Sequence, residues 1–82
     1  MKFGIERASG FFPCAEAREN EYIDVYGERS IFYTIEINTL EELINLYEKY
    51  GRLIIGQVYD FQTEYINAGC KQTIVIYDDW VE

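Results

Sequence analysis

Cys14 has the best claim to covalent chemistry, because it follows Pro13 where a helical turn can start and the N-terminal dipole of such a turn favours thiolate. A Ser-His-Asp or Cys-His hydrolase also needs a base that titrates near neutrality, and the 82 residues include no histidine. With no relay to activate it, Cys14 reads as a small, partly buried hydrophobe. Cys70, between Gly69 and Lys71, reads the same way, and both are expected as free thiols.

Metal chemistry fares no better. Tetrahedral zinc would need both cysteines plus carboxylates, without a C-x-x-C pair or an imidazole. Asp78 and Asp79 could join Asp60 or Glu64 around magnesium, but adjacent strand residues point to opposite faces. Neither G-x-x-x-x-G-K-[ST] nor G-x-G-x-x-G occurs, so no motif supports phosphate cradling. The expectation is a protein that is not an enzyme, with no metal and no cofactor.

Charge points elsewhere. Fifteen acidic residues face seven basic ones, for a net charge of −8. The basic residues Lys2, Arg7, Arg18, Arg29, Lys49, Arg52 and Lys71 are dispersed, which argues against direct nucleic-acid binding, where phosphates need Lys or Arg. An anionic membrane surface would repel the chain too. No apolar run approaches the roughly 20 residues that span a bilayer, and the first eight residues are not followed by a signal-peptide stretch, so the expected compartment is cytoplasmic. The carboxylates themselves are the candidate site. Glu41, Glu42 and Glu48 project from the polar part of a helix, and Asp78, Asp79 and Glu82 gather near the C-terminus around Trp80, which reads either as a core residue locking the terminal strand or as an aromatic anchor within an acidic rim. Such a field speeds encounter with a basic protein and discourages DNA from sharing it.

These groups need a scaffold, and the periodicities supply one. Alternation predicts a strand in residues 1–8, ended by Ser9 and Gly10. Pro13 to Asn20 reads as a short exposed helix or a loop, Glu21 to Tyr26 as a second strand before Gly27, and Ile31 to Ile37 as an interior strand. Thr39, Leu40, Glu41 and Glu42 spell a capping box, and Gly51 closes the helix that follows. Leu40, Leu43, Ile44, Tyr47 and Tyr50, at spacings of three and four, form its expected core-facing stripe. Arg52 to Val58 reads as a short buried strand, Tyr59 to Cys70 as a hairpin arm or turn, and Gln72 to Tyr77 as the last strand before an acidic tail.

That order predicts one α+β domain over residues 1–82, a small antiparallel or mixed sheet of four to five strands with one principal helix on one face. The opposite face would be left to solvent or a partner, making Tyr22, Tyr26 and Phe32 contact candidates, and an open sheet edge would permit a homodimer.

The run of Met1 to Phe3, Pro13-Cys14, Ile35-Glu36-Ile37, Leu40-Glu41-Glu42-Leu43, Tyr50-Gly51 and Ile76-Tyr77-Asp78-Asp79 resembles small uncharacterised acidic proteins encoded by phages and mobile elements of low-GC Gram-positive bacteria. The resemblance spans most of the chain and is weakest from Phe61 to Lys71. It implies a phage accessory protein that inhibits a basic or nucleic-acid-binding host or defence protein, such as a CRISPR nuclease. The alternative is a structural or self-associating phage protein without inhibitory activity.

Overall fold

Period-two and capping signals resolve, in a computed structural model describing residues 1–10 and 12–77, into seven elements. These are β1 (Lys2–Arg7), β2 (Arg18–Ile23), β3 (Arg29–Glu36), α1 (Leu40–Tyr50), β4 (Leu53–Gln57), α2 (Thr63–Asn67) and β5 (Gln72–Ile76). Phe11 and the predicted tail of residues 78–82 lie outside the described residues. The fold is α+β: a five-stranded mixed sheet in the order β2-β3-β1-β5-β4, antiparallel except where β1 runs parallel to β5.

Register explains the core. Phe3 lies opposite Ile35, Ile5 beside Ile74, Arg7 beside Ile76, and Leu53 opposite Ile76, so these side chains share one sheet face. Ile5, Ile74 and Ile76 are fully enclosed there, each such burial contributing about 1.5–3 kcal/mol. Cys14 and Leu46 complete the cluster.

The predicted helix forms with both its ends as written. Thr39 Oγ1 accepts from the Glu42 amide (3.2 Å), and Glu42 Oε1 accepts from the amides of Thr39 (3.1 Å) and Asn38 (2.6 Å). Gly51, at φ 90°, donates to the Tyr47 carbonyl (2.7 Å). The predicted stripe, however, is rotated from the observed contact face. Leu46, absent from that stripe, is 4% exposed, Leu43 and Tyr50 are half-buried, and Leu40 (70%), Ile44 (45%) and Tyr47 (56%) are exposed. The segment after Pro13 meets the helix on the observed side. Lys49 Nζ pairs with Glu16 (3.1 Å), and Tyr50 Oη accepts from the Ala15 amide (3.3 Å). The flank bearing Glu42, Asn45 and Lys49 thereby borders β3 and that loop.

Residues 13–17 form the loop of the two sequence alternatives. Pro13 and Cys14 are buried, the Ala17 amide donates to the Cys14 carbonyl (3.1 Å), and strand pairing begins at Arg18, opposite Thr34. The second strand is therefore Arg18–Ile23 rather than Glu21 to Tyr26. Asp24 ends it, its Oδ1 accepting from the amides of Tyr26 (2.8 Å) and Glu28 (2.9 Å) to make the hairpin turn.

The second sheet face is also covered, contrary to expectation. Residues predicted as a hairpin arm contain α2, introduced by Gln62, whose side chain accepts from the Tyr59 amide (2.9 Å). Tyr65 of α2 is buried against β1 and β3: its ring meets Phe32 edge-on (5.7 Å) and its hydroxyl donates to Glu6 Oε2 (3.0 Å). Phe32 is thus an intramolecular contact, while Tyr26 stands exposed at the hairpin tip. β4, predicted as buried, is an edge strand with Ile54 and Ile55 exposed. Among the described residues no helix is long and apolar enough to cross a membrane.

Candidate functional site

Burial decides the state of both thiols. Cys14 lies in the core beneath α1, where desolvation, and then the Glu16 carboxylate, push its pKa up despite backbone hydrogen bonds that lower it. Cys70 is buried beside α2, and burial raises it as well. Both are free thiols held in the protonated form, the reverse of what a nucleophile needs. Among the described residues, no three His, Cys, Asp or Glu side chains converge on a common point.

A depression between α1 and β3 has an apolar floor of Ile35, Ile37 and Leu46 with Glu16, Glu36 and Glu42 at its margin. Each of these carboxylates already has a partner. Glu36 accepts from the Met1 ammonium (3.0 Å), which also donates to the Ile37 carbonyl and Asn38 Oδ1. Glu16 holds Lys49. Burial raises the Glu16 pKa, but the hydrogen bond and charge of Lys49 outweigh it, so the net displacement is downward. Glu42 is held below the usual carboxylate range by the Asn38 and Thr39 amides. Of the sequence-predicted site residues, Glu42 is therefore a capping group whose acceptor oxygen points into the chain.

Glu41 and Glu48 differ. Both are exposed, and among the described residues neither makes an ion pair. Seven residues apart, they stand on one side of α1 with roughly 10 Å of helix axis between them. Ile44 occupies the turn between them. The outer ridge of α1 thus combines two carboxylates that have no ion-pair partner among the described residues with an exposed branched apolar side chain. Asp78, Asp79, Trp80 and Glu82, the other half of the predicted site, lie outside the described residues.

Sequence reasoning missed two exposed apolar features. One is the flank of α1 formed by Leu40 and Tyr47, assigned to the core because its spacing satisfies a helical stripe. The other is the β4 edge, where Leu53, Ile54 and Ile55 are as apolar as an interior strand. The absence of charge from 53 to 59 could have raised the question of what covers that strand. No family model matches the chain, and no curated protein or solved structure matches it.

Proposed function

We propose that this chain is a non-enzymatic interaction module whose acidic outer surface docks onto a basic protein, acting as an inhibitor of a nucleic-acid-binding host or defence protein such as a CRISPR nuclease. The observation that carries the reading is the α1 ridge, where Glu41 and Glu48 flank exposed Ile44 without an ion-pair partner among the described residues. Carboxylates spaced along a rigid helix present negative charge much as a phosphate backbone does, and an apolar residue between them supplies area that water would otherwise wet. Net charge adds long-range steering, since −8 attracts a basic groove and repels competing nucleic acid. The resemblance to small phage proteins fits an accessory inhibitor of this kind.

The test is capture of a basic partner from host lysate by the full chain, followed by binding at increasing ionic strength. Affinity should fall as salt rises, and Glu41→Lys/Glu48→Lys should weaken binding while leaving the melting curve intact. Salt-insensitive binding, or a charge-reversed variant that binds as well as the parent, would remove the mimicry. Self-association is the second reading, and the open β4 edge favours it.

A further inference from the structure

We propose that β4 pairs antiparallel with β4 of a second copy of this chain, about a two-fold axis passing beside Ile55. The sheet has two edges, β2 and β4, and they are built differently. β2 reads Arg-Glu-Asn-Glu-Tyr-Ile, with charge on both faces, the usual protection against edge pairing. β4 reads Leu-Ile-Ile-Gly-Gln and has no charged residue.

Hydrogen-bond phase fixes what the edge offers. The Tyr77 amide donates to the Arg52 carbonyl (2.9 Å), and the Val58 amide donates to the Lys71 carbonyl (3.3 Å). With Ile54 opposite Val75 and Gly56 opposite Thr73, Arg52, Ile54, Gly56 and Val58 direct their peptide groups at β5. Leu53, Ile55 and Gln57 therefore direct theirs outward, away from the sheet. A second β4, antiparallel and centred on Ile55, sets Ile55 opposite its own counterpart and Leu53 opposite Gln57, satisfying all three residues on both strands with about six hydrogen bonds. Shifting the centre leaves some of these groups unpaired.

Side chains and charge favour a second copy. Ile55 (44% exposed) and Leu53 lie on the α1 side of the sheet, and Ile54 is exposed on the other, so pairing covers apolar surface on both faces. In the Ile55-centred register, Arg52 of one copy lies opposite Val58 of the other, which sets the two Arg52 cations at opposite ends of the seam. The Glu41 and Glu48 ridge stays outside it, and the dimer stands or falls independently of binding to a basic partner.

The measurement is sedimentation equilibrium of the full chain from micromolar to millimolar concentration, at low and moderate salt. The expected result is a monomer–dimer equilibrium that strengthens with salt as repulsion between two −8 copies is screened, opposite in sign to the docking of a basic partner. Ile55→Lys and Ile55→Glu should each be folded by circular dichroism and weaken the dimer about tenfold or more, because each sets like charges face to face. An equimolar mixture of the two should restore dimers, since residue 55 meets itself. If either variant fails to fold, Gln57→Pro removes only an outward amide and should dissociate the dimer alone. A wild-type chain monomeric at every concentration, an Ile55→Lys chain as dimeric as its parent, or a mixture that remains monomeric would overturn the proposal.

Discussion

The Tyr65 ring rests on the backbone of Gly4, so closely that a Cβ on Gly4 would lie 2.6 Å from Tyr65 Cε1. The missing side chain in β1 is therefore what lets α2 close the second sheet face. Gly4→Ala should cost about 1–3 kcal/mol by driving Tyr65 from its site. Urea melts of the single and double variants test the coupling: Gly4→Ala should be much less harmful when Tyr65→Ala has already vacated the space. Additive penalties would show that the contact does not position α2. Burial, with the Glu6 carboxylate alongside, also raises the Tyr65 phenol well above its ordinary range. Its contribution to stability is then complete below the unfolded tyrosine value of about 10 and declines as pH rises past it.

Leu46→Ala should cost about 2–5 kcal/mol, because the side chain is enclosed by the sheet and its deletion leaves a cavity. Ile44→Ala, at an exposed position of the same helix, should change stability by less than about 1 kcal/mol. Thermal melts of the pair check which helix face the sheet holds. Equal penalties would restore the rotation predicted by the apolar stripe alone.

That rotation marks the boundary of what residue order makes legible. Caps are local, so Thr39, Glu42 and Gly51 announce the helix ends, and alternation at Ile31 to Ile37 and Gln72 to Tyr77 announces two strands. The orientation of α1 goes instead with contacts distant in sequence, Leu46 in the core cluster with Phe3 and Ile74 and Lys49 beside Glu16, which no helical period encodes. Likewise Tyr59, Phe61, Thr63 and Tyr65 alternate as a strand would. The helix that Thr63 and Tyr65 enter instead follows a turn in which the Gln62 side chain accepts from the Tyr59 amide, and it depends on the space above Gly4, which is a property of β1. The acidic site was legible as charge but not as geometry: Glu42 is consumed by the cap that identifies it, leaving Glu41 and Glu48 to face outward.

The cap makes stability acid-sensitive. Amides of Asn38 and Thr39 depress the folded-state pKa of Glu42, so its stabilising effect is present above the unfolded value of about 4.3 and is lost as pH falls through the lower folded value. Glu16 acts in the same direction through Lys49. Melting temperature should therefore fall on acidification, and Glu42→Gln should flatten part of that fall because the amide still accepts but no longer titrates. Thr39→Ala should cost about 0.5–2 kcal/mol at neutral pH. An unchanged pH profile in Glu42→Gln would assign the acid sensitivity to other carboxylates.

Thiol labelling tests the chain for covalent chemistry. Cys14 is packed with Phe3, Ile5 and Leu46, and burial with the nearby Glu16 carboxylate holds its proton on. A thiol reagent at neutral pH should therefore reach Cys14 only when the domain opens, at a rate that climbs with urea in step with the population of open chains. Cys70, buried by α2, should follow the same course or react somewhat earlier if the short helix opens by itself. Peptide mass spectrometry resolves the two sites. Rapid, urea-independent labelling of Cys14 in the folded protein would mean that its thiolate is populated and accessible, and would return nucleophilic chemistry to this chain.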